Sequence, residues 1–223
     1  MNINKEKLEQ ILEELKPYKA QLVAVSKTKP VETIRSVYDY GQKVFGENYV
    51  QEMTDKHQQL PADIQWHYIG HLQTNKVKHI VPFVSLIQSV DSFKLLKEIN
   101  KQAAKYNRTI NCFLQIYIAK EETKFGLSFE EAEQLLNSPE LKDLKYISIK
   151  GLMGMASLAE DKNQIRNEFR SLKNFLIRLQ STNSQPLTIL SMGMTSDYKI
   201  ALEEGSNMVR IGSAIFGERV KSD

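Results

Sequence analysis

The chain is poor in cysteine. Cys112 is the only one among 223 residues, so no internal disulfide can form. It lies in an apolar run, where the expected role is a small buried hydrophobe. Long hydrophobic stretches are missing too. The longest near-continuous apolar run, Ile80 to Ile87, is far too short to cross a bilayer. Neither sign of charge is in excess: 30 Lys and Arg face 27 Asp and Glu, a formal net charge of +3. Nucleic-acid binding usually needs a clustered basic face. The densest basic run, Lys76-Val77-Lys78-His79, reads as a solvated helix face. Neither a nucleic acid nor a membrane is expected as a partner.

Other absences narrow the chemistry. The ten glycines and six prolines form no linker, and composition does not shift along the chain. One domain spanning residues 1–223 is therefore expected. There is no Walker A sequence, no dinucleotide fingerprint and no Gly-x-Ser-x-Gly elbow. The four histidines, His57, His67, His71 and His79, lack the clustered carboxylates or thiolates of a metal site. His67 and His71 are four apart across a strand end, which does not bring their imidazoles together. No metal is expected.

What is present is alternation. Met1 to Pro17 reads as an amphipathic helix, with Leu8, Ile11, Leu12 and Leu15 at helical spacing, rather than a signal peptide. A cytoplasmic location is the expectation. Strand-like runs follow at Leu22–Val25, Val44–Phe45, Trp66–Gly70, Val84–Val90, Cys112–Ile118, Ile147–Met153, Leu187–Leu190 and Met208–Ile211. Helical patterns separate several of them, most clearly Phe93–Tyr106 and the Ile165, Phe169, Leu172, Leu176, Leu179 stripe. Eight β/α units of about 25 residues each suit a (β/α)8 barrel, a TIM barrel of the α/β class with an extra N-terminal helix. Continuous apolar strands suit a parallel sheet buried on both faces. A doubly wound open sheet is the alternative, and the second strand is the weakest.

Barrel chemistry sits at the carboxyl ends of the strands. Lys27 ends the first strand, where its amine can face the mouth. A desolvated amine loses proton affinity and can form a Schiff base with a carbonyl. The alternative is a lysine that snorkels into solvent. Lys29 reads as an exposed loop charge. Two stretches look like an anion cradle: Ser191-Met192-Gly193-Met194-Thr195-Ser196, and Arg210-Ile211-Gly212-Ser213. Phosphate sites commonly form after strands seven and eight; ordinary helix capping by Ser and Thr is the alternative. Arg210 would point into the mouth or pair with a carboxylate. His71 can line the mouth, Met153 lies at the end of strand six, and His67 reads as packed within its strand.

Several longer motifs, in order along the whole chain, sharpen this picture. Ala24-Val-Ser-Lys-Thr-Lys-Pro30, Phe45-Gly-Glu-Asn-Tyr-Val50 and Trp66-His-Tyr-Ile-Gly-His-Leu-Gln73 resemble the pyridoxal phosphate homeostasis protein family. So do Gly151-Leu-Met153, Leu190-Ser-Met-Gly-Met194 and Met208-Val-Arg-Ile-Gly-Ser213 with Phe216-Gly217. The resemblance implies a barrel like the N-terminal domain of alanine racemase. It implies pyridoxal 5′-phosphate (PLP) held as a Schiff base on Lys27, with its phosphate in the Ser191–Thr195 and Gly212–Ser213 loops. Asn48 and His71 would lie near the ring and Arg210 near the pyridine nitrogen, with Gly193, Met194 and Met153 also in the cofactor-binding set. Tyr117 to Lys120 departs from the commoner family pattern and puts the shape of the mouth near strand five in question.

The family's role is vitamin B6 homeostasis, so a PLP carrier or reservoir is one reading. A PLP-dependent amino-acid racemase is another, and a lysine Schiff-base aldolase a third. Racemisation by two bases needs an acid/base opposite Lys27. In alanine racemase a tyrosine from a separate C-terminal domain supplies it. This sequence ends at Asp223 soon after the eighth unit, so the expectation is binding without robust turnover. Apo PLP enzymes are the expected acceptors, and a monomer the expected state.

Overall fold

The computed structural model describes residues 3–119, 125–182 and 187–217. Eight strands are ordered around a closed barrel: β1 (Gln21–Val25), β2 (Val44–Glu47), β3 (Gln65–Tyr68), β4 (Leu86–Val90), β5 (Ile110–Ile116), β6 (Ile147–Gly154), β7 (Ile189–Ser191) and β8 (Met208–Ile211). All neighbours are parallel. Residues Gln21 to Ala24 pair with Met208 to Ile211 and close the ring, which excludes the open-sheet alternative.

Alternation within the strands makes two cores. Inward positions Val23, Val44, Leu86, Phe113, Met153 and Met208 form a cluster inside the barrel. Outward positions such as Phe45, Trp66, Ile87, Leu152 and Val209 join a larger cluster beneath the helices. The weak second strand is fixed this way. Phe45 is fully buried with its ring centroid 6.1 Å from that of Trp66 on β3. Each such buried side chain contributes roughly 1.5–3 kcal/mol. Cys112 is buried on β5, and burial pushes its thiol pKa up.

The helices are α1 (Lys5–Leu15), α2 (Val31–Asp39), α3 (Val50–Gln59), α4 (Val77–Ile80), α5 (Phe93–Lys105), α6 (Phe129–Asn137), α7 (Lys162–Thr182), α8 (Tyr198–Glu203) and α9 (Ser213–Phe216). Ser128 and Glu131 form a reciprocal capping box at the start of α6. The N-terminal helix α1 buries Leu8, Ile11 and Leu15, while Leu12 is partly buried. It is tied to the far end of the chain: Asn4 N–H donates to Ile215 O at 3.0 Å, and Tyr198 Oη donates to Glu14 Oε2 at 2.5 Å. Lys76, Lys78 and His79 are exposed along a short helical stretch, as the sequence suggested. Among the described residues, no helix is long and apolar enough to cross a membrane.

Candidate functional site at the barrel mouth

A cavity of about 420 Å3 opens at the carboxyl ends of the strands. Val25, Ile69 and Met155 give it apolar walls, and Lys27, Lys29 and Arg210 bring three cationic side chains to it. None of its described lining residues carries a carboxylate. Its volume lies within the range of small-molecule sites.

Lys27 sits in a turn that leaves β1. Ser26 N–H donates to Gly46 O at 3.1 Å, and Lys29 N–H returns to Ser26 O at 3.1 Å. Thr28 has φ +63°, a left-handed conformation that costs a non-glycine residue about 1–3 kcal/mol. A buried ionic cluster supports this turn. Lys56 on α3 donates to Ser26 O (2.7 Å), Glu47 Oε1 (2.7 Å) and Glu52 Oε1 (2.6 Å). Ser26 Oγ donates to Glu47 Oε1 at 2.6 Å, and Thr28 N–H to Glu52 Oε1 at 2.5 Å. Burial pushes the Glu47 carboxyl pKa up, and the Lys56 charge opposes that push. Lys29 is not the exposed loop charge expected. It is half-buried, lines the cavity and donates to Gly217 O at 2.9 Å.

The opposite wall combines the loops after β7 and β8. Met194, Thr195, Ser196, Gly212 and Ser213 all line the cavity. Ser213 Oγ donates to Thr195 Oγ1 at 3.2 Å and joins the two loops. Gly193 shapes the first loop with φ +96°. A Cβ there would stand 2.6 Å from Ala201 Cβ and 2.9 Å from Tyr198 Cα, so only glycine lets the loop lie flat on α8. Gly193 is thus a scaffold for the wall and not part of its surface.

Ser191 requires a correction. It is the last residue of β7, fully buried, and its hydroxyl points into the barrel interior rather than the cavity. Arg210 donates through one nitrogen to Ser191 O (2.8 Å) and Ser191 Oγ (2.7 Å), and through the other to Gly154 O (3.0 Å). Ser191 Oγ in turn donates to Gln88 Oε1 at 2.7 Å. The Gln88 amide nitrogen lies 3.0 Å from His67 Nδ1. Arg210 is therefore hydrogen-bonded to neutral acceptors, with the Asp197 charge also acting on it. Burial pulls its pKa down to about 10, partly opposed by the Asp197 charge, so it stays protonated near neutrality.

The remaining expected residues divide. Asn48 lines the cavity, and its Oδ1 is buried without a hydrogen-bond partner among the described residues. Its backbone is fixed from β3: Tyr68 Oη donates to Asn48 O at 2.9 Å. Gly70 packs so closely that a Cβ would lie 2.3 Å from that same oxygen. His71 does not reach the cavity; it bonds Asp91 through Nδ1 at 3.0 Å and stacks on Phe125 with centroids 4.0 Å apart. Met153 is buried in the inner core, because β6 runs on to Gly154 and Met155 is the residue at the mouth. Near β5, Tyr117 N–H donates to Leu127 O at 2.8 Å and Ala119 is buried. Lys120, in the atypical segment, lies outside the described residues.

The sequence reading also missed Lys56, Glu52, Gln88 and Ile69. One signal was available for Lys56. It falls on the buried stripe of α3, three residues after Met53, where a lysine is out of place unless paired.

Comparison with known proteins agrees with this fold. The family "Alanine racemase, N-terminal domain" matches residues 3–220. A pyridoxal phosphate homeostasis protein of Aquifex aeolicus is 41% identical over 201 residues, covering 90% of this chain and 87% of its own. PipY of Synechococcus elongatus, solved without PLP, superposes with a TM-score of 0.89 at 35% identity, over 95% of this chain and 99% of its own. The same protein solved with PLP bound gives 0.85. Alanine racemase of Clostridium difficile shares the fold at a TM-score of 0.76 and 16% identity, over 99% of this chain and 59% of its own. With its closed barrel, its motifs and these matches along nearly its whole length, the chain belongs to the pyridoxal phosphate homeostasis proteins, within the wider family of alanine racemase N-terminal domains.

Proposed function

We propose that this chain binds pyridoxal 5′-phosphate in the barrel mouth, as a Schiff base on Lys27. It serves cytoplasmic vitamin B6 homeostasis as a monomeric carrier or reservoir without robust turnover. The observation that carries the reading is the cavity itself: a lysine on one wall, hydroxyl-bearing loops on the other, and no lining carboxylate among the described residues. PipY with PLP bound supports it from a relative.

The residues fit the cofactor. When bound, PLP supplies an aldehyde that condenses with a primary amine, releasing water, and a ring that withdraws electrons. Lys27 is the amine. Thr195, Ser196, Gly212 and Ser213 would hold the phosphate, with hydroxyls and loop backbone as donors. Asn48 Oδ1 offers a buried acceptor that a ligand hydroxyl satisfies. Val25, Ile69 and Met155 suit the faces of an aromatic ring. Arg210 is a fixed cation whose presence beside a ring nitrogen disfavours protonation there, weakening the ring as an electron sink.

Binding is favoured over racemisation by the same lining. Its described ionisable side chains are those of Lys27, Lys29 and Arg210. Among the described lining residues, no tyrosine, histidine or carboxylate joins them to serve as a second base. Apo PLP enzymes are the acceptors this reading implies.

Visible absorbance tests the proposal. Purified protein mixed with PLP should show an imine band that Lys27→Ala abolishes, and the loaded protein should reactivate an apo PLP enzyme faster than free PLP does. A colourless mixture overturns the cofactor assignment. Amino-acid racemisation at enzymatic rates that depends on Lys27 overturns the carrier role.

A further inference from the structure

The geometry points to Lys56 as a positioning residue for Lys27, an inference that rests on the Schiff-base reading above. Both neighbours of Lys27 are pinned to one ammonium group. Lys56 Nζ donates directly to Ser26 O at 2.7 Å. It also holds Glu52 at 2.6 Å, whose same oxygen receives Thr28 N–H at 2.5 Å. Its third bond, 2.7 Å to Glu47 Oε1, anchors the carboxylate that accepts Ser26 Oγ at 2.6 Å. A lysine ammonium has three donors, so every one is spent on the frame around Lys27.

The frame has work to do. Lys27 follows a strand but must leave it toward the cavity, and the chain achieves this with Thr28 at φ +63°. A threonine does not hold that conformation by preference. The Thr28–Glu52 bond secures it, and Lys56 secures Glu52. Lys56 is 4% exposed and Glu47 fully buried. A buried ion pair is weak evidence for stability, since an apolar replacement of similar size often serves as well. Its value here is directional: it fixes where the backbone on either side of Lys27 must lie. Lys56 touches no cavity surface itself, so it acts through Lys27.

The test compares wild type with Lys56→Met, Glu52→Leu and Glu52→Gln, each checked for folding by circular dichroism. Imine formation with PLP is followed by stopped-flow absorbance. In parallel, the PLP-free proteins are reductively methylated with formaldehyde, and labelling at Lys27 is quantified by mass spectrometry against exposed Lys78. Lys56→Met and Glu52→Leu should form the imine roughly 10- to 100-fold more slowly, the scale of a misplaced reacting group. Their Lys27 should gain labelling relative to Lys78 as the half-buried amine is released. Glu52→Gln keeps an acceptor for Thr28 N–H and should stay near wild type in both readouts. A folded Lys56→Met with wild-type rate and labelling overturns the inference. Should Lys56→Met not fold, equal behaviour of Glu52→Leu and Glu52→Gln overturns it. If wild type itself forms no imine, the cofactor reading falls, and the labelling ratios still decide whether Lys56 orders Lys27.

Discussion

Ser191 Oγ donates a 2.7 Å hydrogen bond to Gln88 Oε1, bringing β7 and β4 together across the barrel interior. Arg210 donates to the same hydroxyl at 2.7 Å. The Gln88 amide nitrogen faces His67 Nδ1 at 3.0 Å and Met208 Sδ at 3.3 Å. With Ser191 donating to the Gln88 oxygen, its NH2 must donate to His67. The donors thus run in one direction, from the guanidinium at the mouth to an imidazole deep in the barrel. Each member leaves the next unsatisfied if removed, which is where buried polar groups become costly.

Gln88→Leu should therefore destabilise the protein by about 1–3 kcal/mol, since the Ser191 hydroxyl loses its acceptor and His67 Nδ1 its donor inside the barrel. Urea denaturation monitored through Trp66, the only tryptophan, measures this. A variant as stable as wild type would show the chain to be energetically idle.

Ser191 and Thr195 should separate in their response to the phosphate. Thr195 lines the cavity, whereas Ser191 faces inward to Arg210 and Gln88. Thr195→Ala and Ser213→Ala should narrow the preference for PLP over pyridoxal, by up to about 1.5–3 kcal/mol for a bond to a charged group. Ser191→Ala should weaken both ligands alike. Titrations with the two aldehydes give the answer, and a loss confined to PLP in Ser191→Ala would return that hydroxyl to the phosphate site.

Gly193→Ala should loosen the same wall without touching a ligand atom. The added methyl meets Ala201 Cβ at 2.6 Å in a backbone already at φ +96°. A loss of about 1–3 kcal/mol, together with weaker PLP retention on dialysis, is expected. Unchanged melting and retention would mean α8 yields freely.

Acid should act through His67. Burial pulls its imidazole from the ordinary 6.5 down to about 3. The unfolded chain binds the extra proton below pH about 6.5, so this contribution to stability is complete above that pH. It is lost as pH falls toward 3. The slope is about 1.4 kcal/mol per pH unit. His67→Gln should remove it, and urea denaturation of both proteins at pH 7 and 5.5 measures the difference. Parallel pH curves would sink the assignment.

Much of the barrel was legible because each strand is a short apolar run closed by a turn. Even the weak Val44–Phe45 signal held, since Phe45 needed only Trp66 beside it to become core. Lys27 and the Thr195–Ser213 wall were legible for a related reason: position at a strand's carboxyl end already says which side of the barrel a residue serves. Depth was not legible. Ser191 and Met153 fell inside the barrel because β7 includes Ser191 and β6 continues to Gly154. One residue of strand length decides between wall and core. Partners distant in sequence were hidden as well. Nothing in Leu86-Ile87-Gln88-Ser89-Val90 announces that Gln88 will meet Ser191, 103 positions later, and His71 turns to Asp91 only once β3 and β4 are side by side.

Closure of the ring has a consequence for timing. Lys27 comes early in the chain, while Arg210 and the Gly212–Ser213 loop come near its end, and Lys29 reaches Gly217 across 188 positions. During synthesis the amine emerges long before the wall that must face it. On the proposed reading, a nascent chain has only part of its phosphate wall until β8 docks beside β1. Retained colour in such a protein would report that its last strand has found its place.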